Sequence, residues 1–443
     1  MQWLNMRTNY SYSYFPIVLI LGITLSMVIT PSLLTGAGVN IALAQLSPSS
    51  NSTNSESNNI NNSNSSGFLG YESQPPYAHR SAVEEWAPHQ QQTNYTQEWW
   101  YTTALFNDPQ GNMYSLLFVD MKIDGSETPF AMLNPALFST IKPNQTMTMC
   151  MLGFSAYDSN FRTYSVYGVN DNNSDMWDAA NNAVNFHCKD TATGSWSYNG
   201  TDSKLVLKSQ NITLDLDMVN KHPVMWTKDS VYNTQGVLQE GGPGNFSYYY
   251  SLPRLEVTGN ISYTDKTGHN KTMDVTGQGW IDKQWGDWNV RAWEWNSLRF
   301  DNGARVNLYS FGNALEGGLA YLVGTYQKAD GSLQYFNNFT VKQQGYAKNP
   351  ISGNWISFGW GYDFPIDIEG SKHYSAVPFS NQFTNMPPVE WIWTYAAPGK
   401  EFRFVEQGGQ VINDDTGQIV GSTFSESMPI QMLQNGPYEV NQH

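Results

Sequence analysis

Ile212-Thr213-Leu214-Asp215-Leu216-Asp217, preceded by Lys204-Leu205-Val206-Leu207-Lys208, is the stretch that decides the fold. Apolar and polar residues recur with a period of two, the pattern of a strand with one buried and one solvated face. The same rhythm returns in Met113–Val119, Leu255–Ile261, Leu298–Phe300 and Ala304–Tyr309. Turn dipeptides punctuate these runs: Asn302-Gly303, Asp330-Gly331, and Thr416-Gly417 after two aspartates. No amphipathic helical pattern runs longer than two turns. The reading is all-β, with strands spaced as in barrels or sandwiches.

Composition agrees with this and narrows the function. Aromatic residues make up 14% of the chain, as many as the charged ones, and Gly is frequent, a balance that favours sheet over helix. The net charge of -15 comes with no basic run to neutralise phosphates, so nucleic acid is not an expected partner. The 443 residues suffice for two domains with large cores.

The N-terminus reads as an export segment. Arg7 precedes an apolar run from Ile17 to Ile29, and Ala42-Leu43-Ala44 offers a small-x-small cleavage site. Residues 1–44 are therefore expected to be a signal peptide, or an anchor if left uncleaved, the one route to membrane association. Residues 45–70, nearly all Ser and Asn, are expected to form a disordered spacer open to glycosylation. Sequons recur beyond it, at Asn94, Asn144, Asn199, Asn211, Asn245, Asn260 and Asn338. Cys150 and Cys188, the two cysteines, can pair in an oxidising compartment. Such a bridge is worth roughly 4 kcal/mol in the chain-entropy view.

The chemistry concentrates in Gly277-Gln278-Gly279-Trp280-Ile281-Asp282-Lys283-Gln284-Trp285-Gly286. As a strand, it places Trp280, Asp282 and Gln284 on one face. A carboxylate desolvated against an indole has a raised pKa and suits a general acid. The same residues also fit a structural aspartate beside core tryptophans.

Three motifs in order resemble one family. They are Gln97-Glu98-Trp99-Trp100-Tyr101, then Tyr248-Tyr249-Tyr250-Ser251-Leu252-Pro253-Arg254-Leu255, then Gly279–Gly286 followed by Trp293-Glu294-Trp295. Their sequence and spacing are similar to the AttH-like and carotenoid 1,2-hydratase (hydroxyneurosporene synthase) family, which includes kievitone hydratase and lipocalin-like Diels–Alderases. The resemblance implies two tandem lipocalin-like β-barrels or half-barrels, here 71–288 and 289–443. It implies water addition, isomerisation or cyclisation of apolar prenyl, polyene or polyketide-like molecules without a cofactor. An aromatic-x-Asp pair carries the acid in the carotenoid branch, and it falls on Trp280 and Asp282. That branch has Tyr before and usually His after the aspartate; Trp280 and Lys283 look more like the kievitone hydratase branch.

Around this pair, the expected pocket lining is Glu98, Trp100, Tyr248, Tyr250, Gln284 and Trp285. Trp280 and Trp100 offer π faces to a carbocation, and Gln284, Tyr250 or Glu98 offers an acceptor to water. Tyr248 and Tyr250 share one strand face, Tyr249 and Ser251 the other. Equally, the tyrosines can fill a barrel interior, and Glu98 can be the buried partner of a Lys or Arg. Glu294 reads as structural, Arg254 as the partner of a carboxylate such as Glu256, and Pro253 as a strand edge or end. The seven histidines lack metal-ligand spacing and read as surface or loop residues, so no catalytic metal is expected. Nucleophile elbows and phosphate loops are absent, and Gly241–Gly244 reads as a turn or pocket lip. Two other functions fit: a non-catalytic extracellular carrier of a lipid or pigment, and a carbohydrate-binding or carbohydrate-active protein suggested by the Glu-Trp pairs.

Overall fold

The computed structural model describes residues 79–89, 97–124, 146–157, 162–170, 176–188, 192–230, 233–239, 246–265, 267–287, 293–311, 321–348, 355–378, 389–394 and 401–427. The expected export segment 1–44 and expected spacer 45–70, residues 241–244, His443 and the sequons at Asn94, Asn144 and Asn245 lie outside the described residues. The chain is all-β: among the described residues the only helical element is a single 3-10 turn, Glu84–Trp86.

Period-two alternation builds two large antiparallel sheets. In the first, of 13 strands, Gln97–Asn107 is flanked by Met113–Asp124 and Asn270–Asp287. Thr146–Tyr157 and Arg162–Asn170 continue one way. Phe246–Thr264, Ile212–Asn220, Asp202–Ser209, Ala192–Tyr198, Ala183–Cys188 and Trp177–Asp178 continue the other way. The sheet curls on itself, so that Phe118 meets Phe186 from a distant strand with ring centroids 4.8 Å apart. The second sheet has 10 strands, with Trp293–Phe300 between Arg305–Phe311 and Gln418–Ser427. It curls likewise: Phe336, on its terminal strand Leu333–Phe336, packs 5.8 Å from Phe364 of Trp355–Ile368. The architecture is lipocalin-like, and each curled sheet encloses its own apolar core.

The sequence pattern around Pro253 is corrected by the structure. The strand neither ends nor lies at an edge there: Phe246–Thr264 runs 19 residues with partners on both sides. A bulge between Leu252 and Leu255 absorbs the proline, which has no N–H to give a ladder. Below the bulge the strand's outer neighbours are the short Met225–Trp226 and Val237–Gln239; above it, Ile212–Asn220. Arg254 does not pair with Glu256, which bonds Lys221 at 2.9 Å. Its Nη1 instead meets His222 Nε2 at 2.8 Å. His222 is therefore no surface histidine; it is buried and faces Gln327 of the second sheet at 3.1 Å. Burial lowers its pKa.

The predicted turns form, with positive φ at Gly303 (102°), Gly331 (88°) and Gly417 (70°). Asn199, Asn211 and Asn338 are exposed, and Asn260 is partly buried. Cys150 is disulfide-bonded, and Cys188 is the only other cysteine.

Gly277 marks the tightest approach of the two central strands. A Cβ there would lie 2.0 Å from the Leu105 carbonyl oxygen and 2.9 Å from Phe106 Cα, both backbone atoms with no freedom to retreat. Gly277→Ala is expected to destabilise the full-length protein by about 1–3 kcal/mol, read as a lowered midpoint in urea unfolding; an unchanged midpoint would show that the strands can separate freely.

Candidate functional site

Residues 279–286 of the strand Asn270–Asp287 organise the chemistry, because over that stretch both faces of the strand are buried. Ile281, Lys283 and Trp285 point into the first barrel, whereas Trp280, Asp282 and Gln284 point outward, toward the second sheet. The expected pocket is thus divided between two sides of one sheet. Glu98, Trp100, Tyr248, Tyr250 and Trp285 do not share a chamber with Asp282.

Inside the first barrel, the segment 79–89 occupies the interior. Trp86 is fully buried, and its carbonyl accepts the Trp100 indole N–H at 2.9 Å. Tyr250 donates its hydroxyl to the Ala82 carbonyl at 2.9 Å. His89 corrects the surface reading of the histidines. It is buried, with Nδ1 2.7 Å from Glu98 Oε1 and Nε2 2.8 Å from Glu85 Oε2. Trp285 lies between the His89 ring (4.6 Å) and the Tyr248 ring (5.3 Å).

Lys283 bonds Glu98, and its ammonium sits 4.0 Å from the Trp100 ring centroid and 5.1 Å from that of Trp285. Burial opposes ionisation of Glu98, but Lys283 and His89 overcome it and hold the carboxyl well below the usual range. Burial brings Lys283 down to about 8, against the pull of Glu98. Glu98 is thus the buried partner of a lysine. Asp120, opposite Trp100 on the neighbouring strand, has no hydrogen-bond partner among the described residues and is pushed up to about 8 by burial and by Glu98.

The outward face carries a different constellation. Asp282 is 4% exposed and lies in register with Tyr101 on one neighbouring strand and Ser251 on the other. Ser251 Oγ donates to Asp282 Oδ1 at 2.5 Å, and the Trp280 indole N–H donates to the same oxygen at 2.6 Å. Tyr249 OH also faces the carboxyl and receives Asn307 Nδ2 (3.0 Å) and Trp295 Nε1 (3.2 Å) from the second sheet. Burial raises Asp282 to about 7, even though Ser251, Trp280, Tyr249 and Arg299 all favour its charged form. Trp295 closes edge-on against Trp280 (6.0 Å) and Tyr101 (5.5 Å).

Two further carboxyls complete this layer. Tyr101 OH donates to Glu406 Oε2 at 3.1 Å, and Glu426 stands directly opposite Glu406 across a strand pair. Burial raises both, Glu406 well above its usual range and Glu426 to about 7, with Asp282 adding in each case. Gln284, expected as a water acceptor, donates to Ser247 Oγ at 2.9 Å. Glu294 lies apart from this layer, on the inner face of the second barrel, where burial lifts it to about 8.

A profile of the AttH-like family matches residues 84–372. The chain belongs to the AttH-like family. No functionally curated protein matches it. Among solved structures, it is similar to a protein of Nitrosomonas europaea assigned as AttH, with a TM-score of 0.58 and 16% identity over 81% of this chain and 98% of that one. It is also similar to kievitone hydratase from Nectria haematococca, with a TM-score of 0.46 and 12% identity over 75% of this chain and 89% of that one.

In this AttH-like chain, sequence reasoning placed Trp280 beside Asp282 but missed Ser251 and Tyr249 as the partners of Asp282. Their shared face was legible; their pairing with Asn270–Asp287 was not. Tyr101, Trp295, Arg299, Asn307, Glu406 and Glu426 left no local signal, since each reaches the layer through a strand or sheet contact distant in sequence.

Two measurements follow. Lys283→Met leaves Glu98 buried without its main partner and should cost about 3 kcal/mol of unfolding free energy, with Glu98→Gln restoring most of it in the double variant; a neutral single variant would mean the pair is not buried. For Asp282, burial raises the folded-state pKa to about 7, above the ordinary value of 3.8. The folded protein therefore holds an extra proton between these values, and the group's contribution to stability declines as pH rises through that window. Stability measured from pH 4 to 7 should fall less steeply in Asp282→Asn than in wild type, and identical slopes would contradict the raised pKa.

Proposed function

We propose that this protein is a cofactor-independent hydratase or isomerase acting on an apolar prenyl, polyene or polyketide-like molecule held between the two sheets. The observation that carries the reading is Asp282, a buried carboxyl bonded by the Trp280 indole in a layer with Trp295 and pushed up by burial to about 7. Protonating a C=C bond needs an acid that still holds its proton at working pH and surroundings that tolerate a cation. Asp282 transfers its proton to one alkene carbon, and the electron-rich faces of Trp280 and Trp295 stabilise the cation at the other. In hydration, water then attacks the cation and returns a proton to the Asp282 carboxylate. In isomerisation, a proton leaves the adjacent carbon to the same base. Ser251 and the Trp280 N–H hold the carboxyl through Oδ1, and the Tyr249 hydroxyl also bonds the carboxyl.

Membership of the AttH-like family and the aromatic-x-Asp motif at Trp280 and Asp282 support the reading. The Cys150 disulfide fits export to an oxidising compartment. Full-length protein incubated with an apolar extract of its source cells, and analysed by mass spectrometry, should generate a species heavier by one water or an isomer of equal mass. Asp282→Asn should lower that conversion by roughly 10²–10⁴-fold. One compound retained unaltered by both proteins would identify a carrier and refute catalysis.

A further inference from the structure

Arg299 is the charged group in this layer whose bonding is least complete. It is 1% exposed and projects from Trp293–Phe300 toward the first sheet, where its Nη2 donates to Thr103 Oγ1. Its guanidinium carbon lies 5.8 Å from the centroid of the Trp280 ring. Its Nε and Nη1 have no hydrogen-bond partner among the described residues.

A guanidinium offers five N–H donors in a rigid planar fork and accepts nothing. Burying it with most of the fork unused is expensive unless an acceptor arrives. Its neighbours do not supply one. Burial draws Arg299 down to about 10, with Tyr101 and Asp282 opposing, so it stays cationic at neutral pH. No ion pair joins it to Asp282 among the described residues, and the Asp282 oxygen with assigned partners is committed to Ser251 and Trp280. The same layer ends in other orphaned polar atoms, Asn307 Oδ1, Thr325 Oγ1 and Glu406 Oε1. Such a layer is incomplete as a piece of packing and complete as a receptor.

We propose that the molecule bound between the sheets carries an anionic oxygen, a carboxylate, phenolate or enolate, which pairs with the Nε and Nη1 of Arg299. The inference rests on the Asp282 layer being the substrate site, and it names the polar end of an otherwise apolar ligand. The apolar portion lies against Trp280 and Trp295, within reach of Asp282. An anion on Arg299 also places negative charge near Asp282 and keeps that carboxyl protonated, the form a general acid needs.

The test separates binding from turnover. cis-Parinaric acid, a fluorescent polyene carboxylate, and its uncharged methyl ester are titrated into the full-length wild type, Arg299→Gln, Arg299→Lys and Asp282→Asn, and thermal melts report the folding of each. Wild type should bind the acid about tenfold or more tighter than the ester. Arg299→Gln should erase that preference while retaining the ester, Arg299→Lys should keep part of it, and Asp282→Asn, which removes a charge that competes for Arg299, should keep it or strengthen it. Failure of wild type to bind the acid, or equal binding of acid and ester, overturns the proposal, as does a preference unchanged in Arg299→Gln. If Arg299→Gln does not fold, a preference in Arg299→Lys equal to wild type overturns it, because one ammonium cannot reproduce the two parallel bonds of the fork. An Arg299-dependent preference in a protein that converts no compound would refute catalysis and leave the anion site standing.

Discussion

The burial of both faces of one strand is the constraint on which the rest depends. In an ordinary antiparallel sheet one face meets water, and a carboxylate there titrates normally. Here residues 279–286 of Asn270–Asp287 have the segment 79–89 and the first core on one side and the second sheet on the other. Every side chain from Trp280 to Trp285 is consequently desolvated. Ionisable residues on such a strand must find a counter-charge or give up their own.

Adjacent residues take the two different solutions. Lys283 faces inward and meets Glu98, which in turn holds His89, so charge is kept by pairing and by two indole faces. Asp282 faces outward, where three donors and the charge of Arg299 are too little to offset burial, and its pKa climbs toward neutrality. A network of paired charges locks the segment 79–89 into the first barrel. The acid that lacks an ion pair is the one proposed to transfer a proton. The charge network and the proposed acid thus occupy opposite faces of a single strand.

The second sheet creates the reactive side. Trp295, Asn307 and Arg299 come from strands whose alternate residues, Leu298, Phe300, Val306 and Leu308, fill the second core. Those strands are buried on both faces as well, which explains why Trp293–Phe300 reads as a mixture of large apolar and polar residues rather than a clean alternation. Burial raises Glu406, Glu426 and Asp282 in the same dry layer, and the Asp282 charge adds to the rise at both glutamates. A buried cation with unused donors at its edge completes a site that is polar at one end and aromatic at the other.

Local pattern determined the all-β class, the hairpin turns, and the shared face of Trp280 and Asp282, because strand periodicity and turn conformation depend only on neighbours a few residues apart. It also paired Tyr249 with Ser251, one face away from Tyr248 and Tyr250. Tertiary structure alone decided which of those faces met Asp282, why Pro253 sits inside a strand, and that His89 is a core residue. The pairing of Phe246–Thr264 with Asn270–Asp287 brought Ser251 to Asp282. The packing of the two sheets brought Thr103 to Arg299 and Tyr101 to Glu406, nearly 200 and just over 300 residues apart in the chain. Alternation states which way a side chain points; only the assembled sheets state what it points at.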